Sequence, residues 1–358
     1  MRGFISLAAA ASLTVALGQP ATAAEHSDVG GGGHKRHCQL DNGIEHIVYI
    51  QFDNVHFRRD NPNVPSDLEQ MPNLLNFLQD KGTLFTNHYT PLISHTAVDI
   101  LTALTGVYGD KFGIPIGNSL RYFNPDGSTS GMSSFAYWTD PVATFATDTA
   151  TDFTPQMIDQ RGKTHPAPWV PFTRAGCDVG AFSVANIEFE NIGLDITTVF
   201  GAGSPEEMEA QSDPTKAQAD FLGIAVHCAK KSALCASGKP DLLTDEPGGY
   251  VGFNALFGNK YVQPQISPGG PVKDIDGNVI QDSSGNPGFP NLFNPSAAQT
   301  LSYLATMLEA GVPVVYGYIA DAHDNTSPVR AAPSVPARTD MSSSSPPTTP
   351  RSGNSSTA

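Results

Sequence analysis

Apolar positions in this chain gather into a few short segments, separated by long stretches rich in Gly, Pro, Asp and Asn. Ile47-Val48-Tyr49-Ile50-Gln51-Phe52 is a mostly apolar run of strand length and reads as a buried strand, with Asp53 at its carboxyl end. Over residues 66–79 the spacing becomes helical: Leu68, Met71, Leu74, Leu75 and Leu78 form one stripe, Ser66 and Glu69 form a capping-box pattern, and Gly82 stops the helix. Thr83-Leu84-Phe85-Thr86 is a candidate strand, and residues 96–105 read as a second helix, opened by Thr96 and Asp99 at capping-box spacing and closed by Gly106. Between about 120 and 290 the pattern predicts a strand over 181–189 and a helix over 215–228. Asp274-Ile275-Asp276-Gly277-Asn278 reads as a tight turn, lacking the closing Glu of an EF-hand loop. The clearest late unit spans 294–320, where Asn294 and Pro295 open a helix, Leu301, Leu304 and Leu308 give its apolar face, and Gly311 and Pro313 end it. Val314 to Ile319 is then a strand leading to Asp321, His323 and Asp324.

Strands alternating with helices predict an α/β fold with a mostly parallel sheet and helices on both faces. Both strand-to-Asp junctions lie at carboxyl ends, where open α/β sheets place their chemistry. Ser94-His95-Thr96 precedes a helix, so the Thr96 hydroxyl sits where unpaired backbone N–H groups point. Such groups hold phosphate oxygens, and a hydroxyl among them becomes a nucleophile when a metal ion lowers its pKa. A plain N-cap at Thr96 and a surface histidine at His95 fit the same pattern.

Residues 1–24 have the form of a signal peptide: Met1 and Arg2, an apolar run from Phe4 to Leu17, then Ala21-Thr22-Ala23-Ala24. The expected destination is extracellular, with no membrane contact after cleavage. Residues 25–45 form a polar, Gly-rich lead, and residues 46–325 form the domain. Residues 326–358, almost all Ser, Pro, Thr, Ala, Gly and Arg, form a low-complexity tail with too little apolar surface to offset its ordering entropy. That tail reads either as a natural linker or as an out-of-frame ending after Asn325. Cys38, Cys177, Cys228 and Cys235 allow three full pairings, and an exported chain permits them. Cys228 and Cys235 are close enough in sequence to close a small loop. The formal net charge of -15, with no basic stripe, excludes a nucleic-acid polymer as partner. A small phosphorylated molecule held by bound divalent ions remains compatible with that charge.

The stretch Thr96-Ala97-Val98-Asp99-Ile100-Leu101-Thr102-Ala103-Leu104-Thr105-Gly106-Val107-Tyr108 resembles the nucleophile region of the alkaline phosphatase superfamily. In its phosphodiesterase and sulfatase branches a Thr, Ser or modified Cys opens a helix ending in Leu-Thr-Gly. Gln51-Phe52-Asp53-Asn54-Val55-His56 and Asp321-Ala322-His323-Asp324-Asn325 resemble the metal-site regions of a secreted actinobacterial branch. The resemblance implies a phosphoesterase with Thr96 as nucleophile and Asp99 at the substrate. Asp53, Thr96, Asp321, His323 and Asp324 become metal ligands, with zinc the expected ion and manganese or calcium compatible with a carboxylate-rich set. His56 and His95 are not counted as ligands. Gly109 and Phe112 stand where Pro and His are common, and the sulfatase Cys-x-Pro-x-Arg signature is absent. The later Asp-His pair and further His of the superfamily find no counterpart after residue 325, so the resemblance implies a domain incomplete at its C-terminus and a weak or inactive product. The rival expectation is a non-catalytic secreted binding protein or a degenerate enzyme fragment.

Overall fold

The computed structural model describes residues 38–53, 55–85, 87–90, 96–109, 121–131, 157–158, 161, 164–184, 189, 192–193, 195–238, 242, 253–290 and 295–320. Its helices are α1 (Pro72–Lys81), α2 (Thr96–Thr105), α3 (Val170–Arg174), α4 (Asp195–Phe200), α5 (Pro205–Ser212), α6 (Pro214–Phe221), α7 (Asn259–Ile266) and α8 (Ala297–Glu309). Its main strands are β1 (Ile47–Phe52), β6 (Val179–Phe182), β7 (Ile224–His227), β8 (Ala255–Phe257) and β9 (Val314–Ile319). Two short antiparallel ladders, β2 (Arg121–Phe123) with β3 (Thr129–Gly131) and β4 (Met157–Ile158) with β5 (Thr164–His165), lie between β1 and β6 in sequence.

The five main strands form one sheet in the order β1-β9-β6-β7-β8. β1 and β6 run parallel to β9, one on each side of it, whereas β6–β7 and β7–β8 are antiparallel. The fold is therefore α/β, but its sheet is mixed rather than mostly parallel. The reason lies in the β6–β7 connection. Parallel pairing needs a crossover that carries the chain back along the sheet. Here α4, α5 and α6 leave the end of β6 and return to the same end, where Ser183 N–H donates to Gly223 O at 2.8 Å. The three short helices are clasped together instead. Lys216 reaches Glu209 at 2.6 Å and also Asp220, Lys260 reaches Glu209, and Tyr261 donates to the buried Glu206. Burial works against the Glu209 carboxylate, but hydrogen bonds with Asp220, Lys216 and Lys260 hold its carboxyl at about 2. Burial and the neighbouring Glu209 push Asp220 up.

Helices cover both faces, as the pattern predicts. Alternation along β9 puts Tyr316 on one face and Gly317 on the other. On the Gly317 face α8 lies close against the sheet. A Cβ at Gly317 would stand 2.6 Å from Leu304 Cδ1, and one at Gly180 would stand 2.6 Å from Met307 Sδ. Phe182 stacks on Tyr303 of α8 with ring centroids 4.4 Å apart. On the Tyr316 face Phe172 of α3 meets Tyr316 edge-on, and Trp169 stacks on His227 at 4.0 Å. Thr300 of α8 donates to Tyr318 O at 3.1 Å, so a buried hydroxyl is satisfied while it ties the helix to β9.

Several boundaries differ from those the pattern predicts. The 66–79 helix begins only at Pro72. The Ser66–Glu69 capping box forms, with Ser66 N–H donating to Glu69 at 2.7 Å, but it closes the turn over 67–70, because Pro72 has no N–H to continue that turn as a helix. Residues 83–85 make no strand, and Thr86 lies outside the described residues. The 181–189 strand is β6, starting at Val179 and ending at Phe182. The 215–228 helix is two elements, α6 and β7, divided at Gly223. Gly223 has φ 63, and an added Cβ would meet the Phe289 ring at 2.2 Å, so only glycine makes this bend. The apolar, β-branched Ile224-Ala225-Val226 then suits a sheet interior. In the late unit Ser296, not Asn294, caps α8, through a reciprocal box with Gln299, while β9 spans the expected residues. Asp274 makes the expected tight turn, its carboxylate accepting from Asp276 N and Asn278 N at 3.0 and 2.8 Å.

The cysteines form two disulfides, Cys38–Cys177 and Cys228–Cys235. The first ties the end of the 25–45 lead to the loop before β6, where Gln39 N–H also donates to Ala175 O at 3.1 Å. Residues 1–37, which include most of the lead, and residues 321–358 lie outside the described residues. Among the described residues no helix is long and apolar enough to cross a membrane.

Candidate functional site

The candidate site lies at the carboxyl end of β1. Register sets Phe52 opposite Ile319, and Asp53 N–H extends the ladder by donating to Ile319 O at 2.9 Å. Asp53 therefore leaves the sheet beside the carboxyl end of β9. α2 occupies the predicted residues, with Thr96 as its first residue, and Val98, Ile100 and Leu101 anchor it in the core. The Thr96 hydroxyl faces Asp53, with Oγ1 3.4 Å from Oδ2. Two of the predicted site residues, 43 positions apart, are thus brought together.

Asp99 lies half-buried in the first turn of α2, three residues on from Thr96 and hence on the same helix face. Asp321, His323 and Asp324 lie outside the described residues, as does His95. His56 turns to Asp60, 2.7 Å from its Nδ1.

A third side chain, which the sequence did not single out, completes the cluster. Tyr318 of β9, paired with Gln51 of β1, donates its phenolic hydrogen to Asp53 Oδ2, the oxygen that Thr96 faces. The available signal was alternation: Tyr316 and Tyr318 both point to one face of a strand already expected beside the site.

The cluster is all oxygen. Among the described residues no group of three or more His, Cys, Asp or Glu is placed to hold an ion. The spacing of the Asp53–Thr96 pair nevertheless fits two ligands of one ion. A hydrogen bond between hydroxyl and carboxylate is best near ~2.7 Å, and 3.4 Å is well beyond that. Two oxygens on a tetrahedral ion with bonds of about 2.0 Å are separated by about 3.3 Å. Adjacent oxygens around an ion with bonds of about 2.4 Å are about 3.4 Å apart. The separation suits zinc and calcium alike. Asp53 Oδ2 has lone pairs enough to accept from Tyr318 and still ligate.

A separate hollow of about 400 Å³ is lined by Phe57, Leu68, Leu75 and Leu84, with Arg59 and Glu69 in its wall. Arg59 holds Glu69 through both carboxylate oxygens, at 3.0 and 2.7 Å from Nε. That bond, with Ser66 N–H, keeps the Glu69 carboxyl at about 2. The lining includes neither Asp53 nor Thr96. Compared with protein-family models, curated proteins and solved structures, the chain has no significant match.

Proposed function

We propose that the chain is an exported phosphoric ester hydrolase that uses a bound divalent ion and Thr96 as nucleophile. The observation that carries this reading is the approach of Thr96 Oγ1 to Asp53 Oδ2 at the start of a ten-residue helix. The resemblance of both segments to the alkaline phosphatase superfamily supports it. Asp53 and Thr96 would hold the ion, with Asp321, His323 and Asp324 as further ligands. When bound, the ion lowers the pKa of the Thr96 hydroxyl and offsets charge on the phosphoryl oxygens.

The chain's own groups do the rest. Thr96 Oγ1 gives its proton to solvent and attacks phosphorus in line, the P–O bond to the leaving group breaks, and the leaving oxygen keeps the electron pair and takes a proton from water. N–H groups at the start of α2 would lie toward the phosphoryl oxygens and stabilise charge developing there. Water then cleaves the phosphothreonine and restores Thr96. Asp99, one turn along the same face, contacts a substrate hydroxyl or the ion, since a second carboxylate against phosphate would repel it. The substrate is a small phosphorylated molecule, because a chain of charge -15 repels a nucleic-acid polymer.

The test is turnover of a chromogenic phosphomonoester and a phosphodiester with zinc, manganese or calcium. Any turnover is expected to be weak and to depend on the metal, with Thr96→Ala lowering it to background. Equal turnover by Thr96→Ala would remove Thr96 from the mechanism. Export is checked separately by mass spectrometry, with a mature N-terminus expected at Glu25; an intact Met1 on protein in the medium would contradict it.

A second reading, a non-catalytic secreted binding protein, is favoured by the apolar hollow lined by Phe57, Leu68, Leu75 and Leu84. Asp53-dependent metal binding separates the two readings.

A further inference from the structure

We propose that Tyr318 is a positioning residue for Asp53, fixing its carboxylate in the rotation that faces Thr96 and so setting the affinity of the pair for a divalent cation. The inference rests on the reading of Asp53 and Thr96 as metal ligands.

Both ends of the contact are held by backbone. Asp53 N–H is bound to Ile319 O at 2.9 Å, which fixes where its side chain leaves the sheet. Tyr318 is 7% exposed, its main chain is paired with Gln51, and its carbonyl accepts from Thr300 of α8. The phenol is thus delivered to the carboxylate by two packed elements. Its hydrogen goes to Oδ2, the oxygen 3.4 Å from the Thr96 hydroxyl.

The terminal torsion of an aspartate is broad and two-fold, so a carboxylate without a partner samples many orientations. Ordering it on ion binding costs affinity. A donor already bound to one lone pair of Oδ2 removes most of that freedom while leaving lone pairs for an ion. Partners that orient a ligand in this way are worth about 10–100-fold in metal affinity. The nearby Tyr49 supplies an internal control. Its hydroxyl donates to Gln51 Oε1 at 3.2 Å, so the same chemical change there leaves the Tyr318–Asp53 bond in place.

The experiment titrates the full chain with zinc alone and with manganese alone by calorimetry. Wild type is compared with Tyr318→Phe, Tyr49→Phe and Asp53→Asn, and each thermal midpoint is measured in chelator. Tyr318→Phe keeps the ring and its packing. Its Asp53-dependent affinity is expected to fall about 10–100-fold with an unchanged metal-free midpoint, while Tyr49→Phe binds as wild type. Wild-type affinity in Tyr318→Phe, with binding lost in Asp53→Asn, would overturn the positioning role and leave Asp53 as a ligand. An affinity loss matched by a lower metal-free midpoint would make Tyr318 a structural residue and also overturn it. Equal binding by wild type and Asp53→Asn would overturn the inference together with the metal reading beneath it.

Discussion

Strands β1 and β9 lie side by side in register, six residues each, yet every residue of β9 is buried and none of β1 is. The contrast extends to their helices. α8 buries Thr300, Tyr303, Leu304 and Met307 against the sheet, whereas α1 buries no residue and leaves Phe77 62% exposed. β9 has strands on both sides and helices over both faces, while β1 is at the edge of the described sheet. The candidate site lies on the boundary between the two regions, with Asp53 and Thr96 on the sparsely packed side and Tyr318 on the dense side. Stability and chemistry are therefore expected to separate. The 164–320 region holds the fold together, and the 47–109 region carries the proposed reactive groups.

The largest test of that division is covalent. Cys38–Cys177 spans 139 residues and joins the segment leading into β1 to the segment leading into β6. Cys228–Cys235 closes only 7 and stays inside the dense region. Chain-entropy arguments put loss of the long loop at about 5 kcal/mol and of the short one at about 2.5 kcal/mol. Denaturant unfolding of Cys38→Ser with Cys177→Ser, against Cys228→Ser with Cys235→Ser, is expected to follow that order. The reverse order would mean that packing around Cys228 and Cys235, rather than the length of the loop closed, sets the cost.

The next test compares one aromatic from each region. Phe182 is fully buried, stacked on Tyr303 and edge-on to Phe289 at 5.7 Å. Phe182→Ala is expected to cost about 3–5 kcal/mol. Phe77→Ala, on the open side of α1, is expected to stay within about 0.5 kcal/mol. Equal costs in chemical unfolding would break the comparison.

The same contrast explains what the sequence makes legible. Some elements with a clear period and local stops are read almost residue by residue, whereas the 66–79 helix, with the same signals, begins only at Pro72. β1, α2 and β9 fall on their predicted positions, and α8 differs only in its first residues, because a capping box, an apolar stripe and following Gly or Pro are all local features. The antiparallel end of the sheet is not legible in this way. β6, β7 and β8 are three or four residues long, too short for a period, and their pairing follows from where α4–α6 return the chain. The missed break between α6 and β7 turns on Gly223, whose bend is set by Phe289, far along the chain. In the site, Asp53 and Thr96 are legible because each ends or begins a local element. Tyr318 is not, because its meeting with Asp53 depends on the β1–β9 register, a property of two segments 265 residues apart.

A substitution expected to change little without metal is also the most discriminating. Asp53→Asn keeps an oxygen acceptor for the Tyr318 phenol and keeps the backbone bond to Ile319. It also removes one negative charge from a chain that carries an excess of them. Nothing in the packing of β9 or α8 depends on the charge. In metal-free buffer the variant is therefore expected to match wild-type stability to within about 1 kcal/mol. The two proteins part only when the ion is added. An ion that binds the folded state alone stabilises it by about 2.7 kcal/mol at a hundredfold excess over its Kd. Wild type is expected to gain that increment with zinc, and Asp53→Asn to gain none of the part that depends on this carboxylate. A metal-free loss of several kcal/mol in Asp53→Asn would show that the boundary residues also carry the fold, and the separation of stability from chemistry would fail at the residue where it is most sharply drawn.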